Sequence, residues 1–170
     1  PALFDPDVIA EAYDTYIDQL VYAEECGFDG LGINGHHANG YGLMPSPNLF
    51  ASVLASRTSR AALRVLGNSV ALYNPPVRVA EEMAMLDVIT GGRMISGQVI
   101  AHGPEYYSYG VNPTYARERF REAHDLIIKA WTDDGPFAWE GKHYNLRYVN
   151  LWPKPVQKPY PPLIFGGESI

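Results

Sequence analysis

The amino-acid sequence predicts an α/β fold of the (β/α)8 TIM-barrel type, and three observations carry that expectation. Short apolar runs bounded by glycine alternate with longer amphipathic stretches, which implies βαβ units and a parallel sheet. Polar residues collect where the runs end, at Asn34-Gly35-His36-His37, Asn68-Ser69, Ile100-Ala101-His102 and Gly166-Gly167-Glu168-Ser169, and barrel active sites are built at such C-terminal strand ends. The competing doubly wound fold needs a phosphate-binding glycine pattern directly after its first strand. Gly30-Leu31-Gly32 instead lies inside the run and lacks the remaining glycine.

The elements follow in order. Asp5-Pro6-Asp7 supplies an N-cap and an acidic first turn, after which Ile9, Tyr13, Ile17, Leu20, Val21 and Ala23 recur at helical spacing up to Gly27. Phe28 to Asn34 reads as a buried strand. A glycine-rich loop from Gly35 to Pro47 leads to a helix over Leu49–Ser56 and a strand over Leu63–Leu72. Pro75-Pro76 opens a helix over Val77–Ile89 that Gly91-Gly92 closes. Met94–Val99 is a strand, the Gly- and Tyr-rich stretch after it a loop, and Ala116–Trp131 a long amphipathic helix. Phe137 to Tyr144 suits a small hairpin around Glu140-Gly141, Trp152 to Pro162 a Pro-rich crossing, and Leu163-Ile164-Phe165 a further strand.

Composition narrows the function. A net charge of −6 without any Lys/Arg cluster argues against a nucleic-acid or anionic-membrane surface. No apolar run approaches a membrane span, and no basic segment followed by an apolar one stands at the start, so the expectation is a soluble cytoplasmic chain. The single cysteine, Cys26, excludes an internal disulfide and is expected as a buried core thiol. Arg117-Glu118-Arg119 and Arg121-Glu122 read as solvated helix charges, and Trp131, Trp139 and Trp152 as core or lid packing. The histidines lack metal-ligand spacing, so no metal site is expected.

Several motifs, in order, carry a family likeness. Gly27-Phe28-Asp29 with His36-His37 is followed by Leu66-Gly67-Asn68-Ser69-Val70 leading into Asn74-Pro75-Pro76-Val77-Arg78-Val79-Ala80-Glu81-Glu82, then Met85-Leu86-Asp87 and Gly91-Gly92-Arg93. Arg117-Glu118-Arg119-Phe120, Trp139-Glu140-Gly141-Lys142-His143-Tyr144 and Asn150-Leu151-Trp152-Pro153-Lys154-Pro155 complete the series. In that order they resemble the bacterial luciferase-like monooxygenases. The resemblance implies that residues 1–170 form a partial barrel equivalent to strands two to five, with a Pro-rich insertion at about 133–162. It further implies oxidation of a small organic substrate by O2 and reduced FMN, often supplied by a partner reductase. F420-dependent hydride transfer and a non-catalytic half-barrel subunit are the alternatives. A half barrel leaves open sheet edges, so a homo-oligomer or a complementing chain is expected.

The same likeness assigns site residues. His36 is the leading catalytic candidate, because oxygen chemistry on a flavin needs a group that titrates near neutral pH, and His37 is the second. Asn68, Ser69 and Val70 are expected against the flavin, with a non-prolyl cis bond between Ser69 and Val70. Gly97, Val99 and Ile100 are expected to approach the ring, the glycine allowing close contact. Tyr106 matches an aromatic of the substrate-side loop, and Gly167, Glu168 and Ser169 match a phosphate site. Many family members carry Arg-Gly where this chain has Ile100-Ala101, which makes His102 the candidate substitute donor.

Overall fold

The computed structural model describes residues 4–166. Helix α1 (Pro6–Glu25) leads to strand β1 (Gly30–Asn34), α2 (Pro47–Arg57) to β2 (Ala62–Asn68), and α3 (Val77–Thr90) to β3 (Met94–Val99). A short α4 (Gly103–Ser108) and a 3-10 turn precede α5 (Ala116–Thr132), then the hairpin β4 (Phe137–Glu140) and β5 (Asn145–Val149), and finally β6 (Leu163–Gly166). The main sheet is four-stranded and parallel, in the order β1-β2-β3-β6. The four strands follow chain order across the sheet, with the β4–β5 hairpin set outside it between β3 and β6, and the order never reverses. That is barrel topology, since a doubly wound sheet reverses at its switch point.

Local chemistry sets the element ends. Asp5 accepts the N–H groups of Asp7 and Val8 while Pro6 occupies the first turn of α1, and Ser46 with Pro47 does the same for α2. Gly91, at φ 65°, closes α3 in the left-handed conformation. The core lies between one face of the sheet and the helices, where Leu31, Ile33, Leu63, Val65 and Met94 meet Leu54, Met83, Leu126 and Ile127. Each such side chain contributes about 1.5–3 kcal/mol on full burial. The opposite face carries Gly32 and Arg64 exposed.

Five expectations differ from the structure. Cys26 is exposed, because it is the C-cap of α1, a helix none of whose residues is fully buried. Trp152 is 80 % exposed on the Pro-rich crossing. The second strand stops at Asn68 and the chain turns at once, and α4 occupies part of the stretch read as loop. Arg119 and Glu122 are not simply solvated charges. Arg119 donates to the carbonyl of Ala71 at 2.8 Å and lies over the Tyr144 ring, while Glu122 accepts the N–H groups of His143 and Tyr144, each at 2.9 Å, and the Trp139 indole at 3.2 Å.

Glu122 thereby clamps the β4–β5 hairpin on α5. Partial burial works against its charge, but the backbone N–H groups of His143 and Tyr144 outweigh it and hold the carboxyl below its usual range. Its folded pKa being depressed, the stabilisation is present above the unfolded pKa of about 4.3 and is lost as pH falls through the folded value. Glu122→Ala is expected to cost about 2 kcal/mol at pH 7, since charge-assisted bonds are each worth roughly 1.5–3 kcal/mol and the side chain is partly solvated. Urea unfolding should show the gap closing below about pH 4. An equal gap at pH 7 and pH 3 would remove the clamp's charge from the account.

Candidate active site

The C-terminal ends of β1 and β2 are drawn together by glycines. A Cβ on Gly35 would lie 2.7 Å from the Gly67 carbonyl oxygen, and one on Gly67 would lie 2.8 Å from the Gly35 nitrogen, so the ends of β1 and β2 touch backbone to backbone. The His36 N–H then donates to the carbonyl of Met44 at 2.9 Å, which closes the loop after β1. The imidazole of His36 meets Tyr41 edge-on at 4.9 Å and stacks on His102 with ring centroids 5.7 Å apart and planes at 27°.

At the end of β2 the register shifts between Val65 and Asn68, and Gly67 takes a φ of 139° that favours glycine. Val70 N–H donates back to Asn68 at 2.8 Å and Leu72 N–H to Ser69 at 2.9 Å, so the chain leaves the sheet in a tight buried turn. The Ser69–Val70 peptide bond is trans, contrary to the sequence expectation. The cis bonds of the described residues are Asn74–Pro75, Trp152–Pro153 and Lys158–Pro159.

These ends surround a concavity of about 270 Å³ lined by Gly35, His36, Leu66, Gly67, Ser69, Val99, Ile100, His102, Glu105 and Gly166. Of the residues expected at the site, His36, Ser69, Val99 and Ile100 therefore meet there, together with His102. His37, Asn68, Val70, Gly97 and Tyr106 do not line it.

Each has a different surrounding. The ring of His37 is buried against Tyr73 and Tyr109, with Nδ1 3.0 Å from the Tyr109 hydroxyl and Nε2 without a partner. Burial pushes its pKa down, the Glu105 carboxylate pulls it partly back, and His36 lowers it further. Asn68 donates to Asn48 at 3.2 Å, and Asn48 in turn donates to Glu82 at 2.8 Å, which turns the amide toward α2 and α3. Val70 is core. Tyr106 packs with Leu72 and Ala116, its hydroxyl unpartnered. A Cβ on Gly97 would lie 2.0 Å from the Val65 carbonyl oxygen, so the close approach that this glycine permits is strand to strand. Gly167, Glu168 and Ser169 lie outside the described residues.

Glu105 is the lining residue that sequence reasoning passed over. It is fully buried and accepts two N–H groups, from His37 at 2.8 Å and from His102 at 2.7 Å. The His102-x-x-Glu105 spacing at the start of α4 is a helix-capping pattern and was the available signal for half of that arrangement. The other half joins residues 68 positions apart and has no local signature.

A flat, amphipathic ring system suits this lining. Leu66, Val99 and Ile100 make part of the lining apolar, while Ser69, His36 and His102 bring a hydroxyl and two imidazoles to it. No Lys or Arg borders the concavity among the described residues. No group of three His, Cys, Asp or Glu side chains able to hold a metal is present among them either, and none of their helices is long and apolar enough to cross a membrane.

Residues 2–170 match the family model of the luciferase-like monooxygenases. The chain belongs to that family. Among its relatives is the oxygenase component of a flavin-dependent trigonelline monooxygenase from Acinetobacter baylyi, 29% identical over 94% of this chain and 44% of its own length. Another is an F420-dependent glucose-6-phosphate dehydrogenase from Kineococcus radiotolerans, 33% identical over 88% of this chain and 46% of its own. The crystal structure of the monooxygenase RslO1 from Streptomyces bottropensis superposes with a TM-score of 0.83 at 26% identity, covering 90% of this chain and 46% of that one. The chain thus spans about half the length of the family members it matches. The family includes flavin-dependent monooxygenases and, as a further branch, F420-dependent oxidoreductases.

Proposed function

We propose that this chain contributes the flavin-facing part of a monooxygenase that uses reduced FMN and O2 on a small organic substrate. The observation that carries the reading is the meeting of His36, Ser69, Val99, Ile100 and His102 around one concavity at the C-terminal strand ends. When bound, reduced FMN would supply the electrons and the reaction with O2. The protein's own residues would do the rest: Leu66, Val99 and Ile100 would help keep water from the bound group, Ser69 would offer it a hydroxyl, and His36 would hold or deliver a proton at an imidazole nitrogen. His102 takes the donor position that many family members fill with Arg. A flavin reductase is the expected partner, as the name "oxygenase component" of the trigonelline relative suggests.

F420-dependent hydride transfer is the second reading, favoured by the 33% identity to a dehydrogenase of that kind. Anaerobic titration of the full chain with reduced FMN and, separately, reduced F420, followed by admission of air, separates the two. Saturable FMN binding and incorporation of an oxygen atom from O2 into a carbonyl or apolar substrate is the expected result. Binding of F420 alone, with anaerobic substrate oxidation, would select the second reading. Binding of neither would leave the chain a non-catalytic half-barrel subunit.

A further inference from the structure

We propose that Glu105 is a positioning residue whose carboxylate fastens the loop after β1 to the loop after β3 and so sets the His36 ring over His102. The strands that carry these loops are not neighbours, because β2 lies between them in the sheet. No ladder of backbone bonds can fix one loop against the other. The carboxylate does so with both oxygens: Oε1 accepts the His37 N–H at 2.8 Å and Oε2 accepts the His102 N–H at 2.7 Å. His36 is the neighbour of one donor, and its ring stacks on the side chain of the other at 5.7 Å.

Helix capping explains only one of the two bonds. An N-terminal glutamate of α4 accounts for the contact with His102, the residue before that helix, but not for the reach to His37. The residue is 1 % exposed and borders the concavity, so each carboxylate oxygen holds one loop while the side chain touches the space between them. Two N–H donors facing two oxygens demand a carboxylate. A glutamine would set its own N–H2 against one of the donors, and an aspartate is one methylene too short to reach both. The functional consequence rests on the proposed flavin reading; the placement of the rings does not.

The placement is read in the ligand-free full chain by NMR of histidine ring protons, with His36 assigned from a His36→Asn variant. In the parent, His102→Asn is expected to move the His36 Hε1 resonance, because the stacked ring current is removed. In a Glu105→Gln background the same substitution should leave that resonance in place, while the amide spectrum elsewhere keeps its dispersion. A His36 shift of equal size in both backgrounds overturns the proposal. Should Glu105→Gln not fold, the unmodified chain decides: the His37 and His102 amides must exchange with deuterium at least tenfold more slowly than those of Ala38 and Asn39, and equal rates overturn the proposal. Titration with reduced FMN is a separate arm. Weaker binding by Glu105→Gln supports the link from ring placement to ligand, whereas no binding by the parent removes the flavin reading and leaves the ring-current result to judge Glu105.

Discussion

Replacing His36 by Ala is expected to lower product formation by roughly 10²–10⁴-fold, the range in which a positioned general acid or base contributes. At 1.36 kcal/mol per tenfold, that is about 3–5 kcal/mol of lost transition-state stabilisation. The measurement is incorporation of isotopically labelled oxygen into a substrate accepted by the parent, with reduced FMN supplied in excess. Binding of reduced FMN should change little, since the apolar part of the lining, Leu66, Val99 and Ile100, is untouched. The loss should therefore fall on kcat and not on the affinity for FMN. His36→Gln, which keeps hydrogen bonding but cannot titrate, should lose nearly as much. Parental turnover in His36→Ala, coupled with a large loss in His102→Ala, would move the proton-handling role across the stacked pair.

The second large effect is structural. Gly97→Ala is expected to destabilise the fold by about 3 kcal/mol, the upper end of typical overpacking, because its Cβ would sit 2.0 Å from a β2 carbonyl oxygen that cannot move without parting β2 from β3. For a domain of this size the melting temperature should fall by roughly 6–12 °C. Thermal unfolding followed by circular dichroism checks this. If the variant melts like the parent and loses only flavin binding, Gly97 is reserved for a ligand and the strand contact is not what requires it.

Much of the fold was legible because it is written in local patterns. The helical spacing from Ile9 to Ala23, the proline-opened and glycine-closed segment around α3, and the short stretch Met94–Val99 after the closing glycines each specify an element without reference to the rest of the chain. Polar residues at the ends of those runs directed attention to the C-terminal strand ends, and His36, Ser69, Val99 and Ile100 border one concavity there. The misreadings share one origin. Ser69 to Leu72 continues the apolar character of β2 and reads as strand, but Gly67 breaks the register and the residues are buried in a turn instead. Arg119 and Glu122 look like solvent-facing charges because sequence shows a helix face and not the hairpin that folds over it.

By itself, the sequence determined the β/α alternation, the order of the elements and the strand ends that carry polar chemistry, since periodicity and capping act over a few residues. Tertiary structure alone decided which of those polar residues share a space. Whether His36 or His37 borders the concavity, whether Gly97 serves a ligand or a neighbouring strand, and that Glu105 bridges two loops all depend on contacts between residues tens of positions apart. Such contacts are set by how strands pair and shift register, and no local pattern encodes that distance.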